Sequence, residues 1–107
     1  MVPFMSLDEL KSRIESHDPD LVVLDVRESW ERDIAALPDT LHIPMNQIPE
    51  RLNELDPSKD IVVMCRSGGR SMQVAHLLDR KGFRSVANLT GGILAWSRDV
   101  DPNIQTY

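Results

Sequence analysis

The chain reads as a single α/β domain with a mostly parallel central sheet and helices on both faces. Three observations predict this. Leu21-Val22-Val23-Leu24-Asp25-Val26 and Ile61-Val62-Val63-Met64 are continuous apolar runs, the pattern of strands buried on both faces of a parallel sheet. Segments with helical periodicity separate the strand-like runs, which points to right-handed crossovers and helices on both sides of the sheet. The 107 residues are 41% hydrophobic and 27% charged, enough for one globular unit spanning residues 1–107 without a metal or disulfide staple.

The elements follow in order. Ser6-Leu7-Asp8-Glu9 is a capping box, with serine at the cap and glutamate three positions on. Leu7, Leu10 and Ile14 then fall on one face of a helix running to about Ser16, and His17-Asp18-Pro19-Asp20 stops it. After the first buried strand, Glu28 to about Ile34 predicts one or two helical turns, and Leu37-Pro38-Asp39 a turn. Leu41-His42-Ile43-Pro44 is a brief extended piece. Asn46 is expected to cap a helix with Pro49 in its first turn and Ile48, Leu52 and Leu55 on one face. Asp56–Asp60 is a loop, and the second buried strand follows with Cys65 at its carboxyl end.

A helix from about Arg70 to Arg80 turns Val74, Ala75 and Leu78 inward and ends at Lys81-Gly82. Ser85–Leu89 reads as a further strand, Thr90-Gly91-Gly92 as a turn, and Ile93 to about Arg98 as the last helix. The tail Asp99–Tyr107 has no periodicity.

Composition narrows the function. Twelve basic against seventeen acidic residues give a net charge of −5, which argues against general nucleic-acid binding. No apolar run approaches the ~20 residues of a membrane span. Met1-Val2-Pro3-Phe4-Met5 lacks the charged and apolar regions of a secretory signal, so a cytoplasmic location without membrane partners is expected. There is one cysteine, Cys65, which cannot form an internal disulfide or by itself supply a cysteine zinc site. That leaves an inert core thiol, an intermolecular linker or a nucleophile.

The neighbours of Cys65 favour the nucleophile. Cys65-Arg66-Ser67-Gly68-Gly69-Arg70-Ser71 follows a buried strand and opens a helix, an arrangement that aims successive backbone N–H groups at one point. Gly68 and Gly69 allow the positive φ angles of such an anion nest, and Ser71 can help satisfy the first turn of the helix. A thiolate there is stabilised by N–H dipoles, the helix N-terminus and two arginines, so its pKa is expected below the ordinary thiol value. Ligands of parallel sheets bind beyond the carboxyl ends of the strands, where Cys65 lies. Asp25-Val26-Arg27 ends the other buried strand at the same edge, and Arg27 either adds charge to the site or neutralises an acid such as Asp25.

Three segments, in order and spanning nearly the whole chain, resemble the signatures of the rhodanese-like sulfurtransferase family. Leu24-Asp25-Val26-Arg27-Glu28 resembles the first, Cys65–Ser71 the active-site loop, and Val86-Ala87-Asn88-Leu89-Thr90-Gly91-Gly92-Ile93-Leu94-Ala95-Trp96 the closing one. Residues 33–44 depart from the family pattern: they keep the Ile43-Pro44 ending but lack its Gly-His and Gly-Ala pairs. The tail Trp96–Tyr107 is similar to rhodanese-like domains fused to adenylating enzymes that sulfurate ubiquitin-like carriers.

The resemblance implies double displacement. Cys65 takes sulfane sulfur from an anionic donor such as thiosulfate or a persulfide, holds it as a persulfide, and passes it to cyanide, a thiol or a sulfur-carrier protein. It implies that Arg66, Ser67, Gly68, Gly69, Arg70 and Ser71 bind the substrate, with Asp25 and Arg27 as possible supports. A carrier or desulfurase protein is the implied partner, and neither a cofactor nor a metal is required. A binding module for such a partner is the alternative. Related cysteine phosphatases and arsenate reductases separate cysteine from arginine by five residues. The four residues between Cys65 and Arg70 make a tighter cradle, and Met64 stands where phosphatases commonly have histidine.

Overall fold

Successive residues of the two apolar runs face alternately into two apolar layers, one on each side of the sheet, as the period of two in a strand requires. In the computed structural model, which describes residues 2–107, strand β1 is Phe4–Met5, β2 Leu21–Asp25, β3 Leu41–His42, β4 Asp60–Met64 and β5 Ser85–Leu89. They form one sheet in the order β1-β5-β4-β2-β3, with every pairing parallel. Val23 and Asp25 of β2 sit opposite Val62 and Met64 of β4.

Helix α1 (Leu7–Glu15), α2 (Ser29–Ile34), α3 (Gly69–Arg80) and α4 (Gly92–Asp99) cover the sheet. Leu24, Ile61 and Val63 join Val74, Ala75 and Leu78 of α3 in one layer, and Cys65 belongs to this layer. Val23, Val62 and Met64 join Leu10 of α1 and Ile93 and Trp96 of α4 in the other. No helix among the described residues is long and apolar enough to cross a membrane.

Ser6 caps α1, its Oγ accepting the Glu9 N–H at 3.1 Å, which is the serine half of the expected capping box. Helix α1 ends at Glu15, and His17, at φ 54°, breaks the helical path. The inner face of α1 is narrower than its spacing suggests, because Leu10 is fully buried whereas Ile14 is exposed.

The helix expected from Asn46 does not form. Two short 3₁₀ turns, Met45–Gln47 and Leu52–Glu54, stand in its place. Pro49 has no N–H to continue a helix, and its ring opposes the carbonyl four residues back. The first turn starts after Pro44, which displaces Asn46 from the cap and puts Pro49 past the first turn, where proline ends a helix. Ile48 and Leu55 are nonetheless buried on the core side, with Leu52 packed beside them.

The edge strands β1 and β3 are two residues each. β1 was not legible in the sequence, since a two-residue strand carries no period. The tail folds back on α4: the Asp101 N–H donates to the Trp96 carbonyl at 2.9 Å, and Ser97 Oγ donates to the Ile104 carbonyl. Val100, Ile104 and Tyr107 pack on the second apolar layer.

Candidate active site

Strand β4 ends at Met64 and α3 begins at Gly69, so Cys65 to Gly68 make the turn at the carboxyl edge of the sheet. Gly68 has φ 118°, a conformation that a residue with a Cβ adopts only under strain. Gly69 does not share the positive φ expected of it. It is the first residue of the helix, and a Cβ built on it meets nothing within 4 Å. The first glycine therefore bends the chain, and the second leaves open space at the mouth of the loop.

The Cys65 side chain is directed into the turn. Its Sγ accepts the Gly68 N–H at 3.1 Å and lies 3.3 Å from Ser71 Oγ. Burial pushes the thiol pKa up, but the Ser71 hydroxyl and the N–H groups of Ser71, Gly68 and Ser67 outweigh it, and the net shift is downward. The direction agrees with the expectation. The main agents are the hydroxyl and backbone N–H groups rather than the arginines.

Ser71 does not serve the helix turn as expected. It is fully buried, and its hydroxyl donates to Asn88 Oδ1 of β5 while its Oγ also touches Cys65 Sγ. Asn88 Nδ2 donates to the Gly68 carbonyl at 3.1 Å, which fixes the amide orientation and turns Oδ1 toward Ser71. Ser71 has one proton and two acceptors when Cys65 is a thiolate, so the serine links the ionisation of Cys65 to β5. Asn88, a buried polar residue in an apolar strand, is the signal in the sequence that marks this contact.

The two loop arginines are both engaged. Arg70 donates to both oxygens of Glu31, at 2.6 and 2.8 Å, and its charge acts on Cys65 as well as on Glu31. Glu31 is 2% exposed and also accepts the Glu28 N–H at 3.0 Å and the Tyr107 hydroxyl at 2.7 Å. Its hydrogen bonds from Arg70, opposed by burial and helped by the Glu28 N–H and Tyr107, push its pKa down to about 2. Arg66 turns out to the tail, where Nε donates to the Tyr107 main-chain oxygen at 2.7 Å and the guanidinium lies 5.3 Å from the centre of the Tyr107 ring. The sequence marks neither Glu31 nor Tyr107 as a site residue, although Tyr107 ends the tail that resembles fused rhodanese-like domains. One lies in a charged turn, and the other is the single tyrosine of a tail without periodicity.

Asp25 and Arg27 answer the alternative left open for them. Both are fully buried, and Arg27 grips Asp25 through Nε at 3.0 Å and Nη2 at 2.8 Å. Arg27 also donates to the Ala35 carbonyl at 2.8 Å and to the Tyr107 hydroxyl at 2.9 Å, and Arg32 reaches Asp25 at 3.1 Å. Arg27 thus neutralises Asp25 and braces the segment carrying Glu31, behind the cysteine loop.

Helix α4 buttresses the loop from the other side. The N–H groups of Ile93 and Leu94 donate to the Cys65 and Arg66 carbonyls at 3.0 and 3.1 Å. Trp96 is a core residue, and Trp30 is exposed with its ring edge-on to Tyr107 at 6.2 Å. His76 is exposed on α3, and His42 Nε2 lies 2.6 Å from the Arg27 carbonyl, so neither touches Cys65. Among the described residues no three His, Cys, Asp or Glu side chains gather as a metal site. An open groove of about 520 Å³ lined by Met45, Pro49, Val74 and Leu77 runs beside α3 and includes no residue of the loop.

Known proteins resemble the chain over most of its length. Residues 6–99 match the Rhodanese-like domain family. The chain is 44% identical over 111 residues to Rhodanese-like/PpiC domain-containing protein 12, chloroplastic, of Arabidopsis thaliana, covering 96% of this chain and 36% of that protein. It is 38% identical over 98 residues to a protein named Sulfurtransferase in Allochromatium vinosum, covering 92% of this chain and 91% of that one. The crystal structure of a Rhodanese-like Domain Protein from Staphylococcus aureus superposes with a TM-score of 0.83 at 29% identity, covering 100% of this chain and 99% of that one. The fold, the three signatures in order and the match over most of the chain agree, and the protein belongs to the rhodanese-like family.

Proposed function

We propose that the protein is a sulfurtransferase in which Cys65 carries sulfane sulfur as a persulfide. The observation that carries the reading is the convergence of the Gly68 N–H and the Ser71 hydroxyl on Cys65 Sγ, with a net downward pull on the thiol pKa. A thiolate held at the mouth of a ring of N–H donors is a nucleophile, and the same donors suit a persulfide anion one sulfur further out. In the first step Cys65–S⁻ attacks the outer sulfur of thiosulfate, the S–S bond of the donor breaks, and sulfite leaves with the electron pair. In the second a nucleophilic acceptor (cyanide, a thiol or a carrier protein) takes the outer sulfur and restores Cys65–S⁻. Ser67 to Ser71 line the cradle, and Arg70 supplies charge beside it.

Intact mass after incubation with thiosulfate tests this. The protein is expected to gain the mass of one sulfur atom, and Cys65→Ser to gain none. No adduct with thiosulfate or any other sulfane donor would sink the reading. A relay role with a protein donor or acceptor is the second reading, favoured by the 36% identity over 96 residues to Putative sulfur carrier protein YrkF of Bacillus subtilis, covering 90% of this chain and 51% of that protein. It is distinguished by loading that is fast from a persulfidated protein and slow from small donors.

A further inference from the structure

We propose that Asn88 is a positioning residue for the sulfur step: it claims the Ser71 hydroxyl proton and so favours sulfur-loaded Cys65 over the bare Cys65 anion. The inference rests on the sulfur-transfer reading above and deepens it.

The Asn88 amide is held in one orientation. Its Nδ2 donates to the Gly68 carbonyl at 3.1 Å, and only the NH₂ end can pair with a carbonyl, so Oδ1 faces Ser71. Oδ1 carries no proton. The Ser71 hydroxyl is therefore the donor between them, and its single proton is committed to Asn88. Both side chains are buried, which makes the loss of a partner costly for either.

The 3.3 Å contact between Ser71 Oγ and Cys65 Sγ then depends on the state of the sulfur. A Cys65 thiol donates its S–H to the Ser71 oxygen, and the chain from Cys65 through Ser71 to Asn88 is satisfied throughout. A bare thiolate has no proton to give. Either it faces the Ser71 lone pairs, or the hydroxyl turns about its Cβ–Oγ bond toward Sγ and leaves Asn88 Oδ1 without that donor. The turned hydroxyl still draws the thiol pKa down, but by less than it would with no Asn88 to leave.

Loading removes the conflict. Cys65–S⁻ and S–SO₃²⁻ give Cys65–S–S⁻ and SO₃²⁻: the donor S–S bond breaks, a new one forms at Sγ, and sulfite leaves with the electron pair. The negative charge moves to the outer sulfur, Sγ becomes a weak neutral acceptor, and the hydroxyl returns to Asn88 with its O–H bond intact. Asn88 thus penalises the bare anion and neither the thiol nor the persulfide.

The charges near Sγ stay fixed across the test. Arg70 of α3 acts on Cys65. Arg66 turns to Tyr107, Asp25 is matched by Arg27, and β5 has no titratable side chain. Helix α4 meets the loop through the N–H groups of Ile93 and Leu94. Substitutions at Ser71 and Asn88 alter none of these charges.

The experiment compares the full chain with Asn88→Ala, Ser71→Ala and the double variant. Thiolate absorbance gives the Cys65 titration midpoint. Asn88→Ala should raise the thiolate-to-thiol ratio about fivefold at a given pH, the weight of one net hydrogen bond, and so lower the midpoint. Ser71→Ala should raise the midpoint. The double variant should titrate with Ser71→Ala, because Asn88 acts through the serine. Intact mass at a fixed thiosulfate-to-sulfite ratio, above every midpoint, gives the loaded-to-free ratio of Cys65. That ratio should fall about fivefold in Asn88→Ala. A residue that merely props the loop would move the midpoint up, by misplacing the Gly68 N–H. An unchanged or raised midpoint in folded Asn88→Ala, an equal lowering in the Ser71→Ala background, or an unchanged loaded-to-free ratio overturns the inference and leaves sulfur transfer standing. If Asn88→Ala does not fold, the infrared S–H band of the protonated parent decides. It should lie below that of Ser71→Ala, and equal bands overturn the inference. If no sulfane donor adds sulfur to the parent, the sulfur-transfer reading falls and the inference with it.

Discussion

Gly92 lies so close to Cys65 that a Cβ in its place would be 2.6 Å from the Cys65 carbonyl oxygen and 2.5 Å from that of Arg66. This close approach lets the first N–H groups of α4 reach the same two carbonyls at 3.0 and 3.1 Å. The turn that carries the thiol is thereby held from below by a second helix, with no side chain between them. The paired glycines of the closing signature and the cysteine loop are two halves of one contact.

Gly92→Ala is expected to lose about 2–4 kcal/mol, from the positive φ of 62° together with the backbone clash. Urea unfolding of the variant checks this. Gly69→Ala, with a helical position and open space around its Cβ, should stay within about 1 kcal/mol of the parent or gain stability. Equal losses at the two glycines would contradict the buttress.

Cys65 is the single cysteine, so the ultraviolet absorbance of its thiolate reports one group. Its titration should fall below that of an ordinary thiol, and Ser71→Ala should move it upward by removing the largest opposing contribution to burial. A depressed folded pKa stabilises the fold fully above the unfolded thiol's pKa and ceases to do so as pH falls through the folded value. The stability gap between the parent and Cys65→Ala should therefore widen as pH rises through that window.

Glu31 titrates from an ordinary 4.5 down to about 2 in the fold. Its stabilisation is complete above 4.5 and is lost as pH falls toward 2, so Glu31→Gln should flatten acid unfolding across that interval. At neutral pH the variant should lose roughly 2 kcal/mol. Arg70→Ala should lose a similar amount, because it leaves a buried carboxylate without its ion-pair partner. Slower loading in Arg70→Ala is thus to be read only beside its stability.

The Asp25–Arg27 pair is fully buried on both sides. Asp25→Ala leaves Arg27 inside with its charge uncompensated and should lose about 3–5 kcal/mol in chemical unfolding. Replacing both residues with apolar ones of similar volume should lose less than Asp25→Ala alone, which a double-mutant cycle measures.

Much of this was legible in one dimension. Two apolar runs marked the strands at the centre of the sheet because a strand buried on both faces has no polar positions to interrupt it. Cys65–Ser71 was legible as an anion nest because its parts are consecutive, and backbone N–H groups need only a turn and a helix to converge. Helical spacing of Ile48, Leu52 and Leu55 does not make a helix after Asn46, because Pro49 lacks the N–H that would continue it and the segment forms two 3₁₀ turns.

Local periodicity and adjacent residues are enough to specify the α/β fold, the two buried strands and the thiol at the carboxyl end of one of them. The surroundings of that thiol come from contacts made in three dimensions. Asn88 reaches Ser71 from 17 residues away, Glu31 reaches Arg70 from 39, and Tyr107 reaches Glu31 from 76. Parallel strands with crossovers bring such distant residues to one edge, and a hydrogen bond between side chains so far apart leaves no pattern in the intervening chain. The Glu31–Arg70 ion pair is a property of the folded edge.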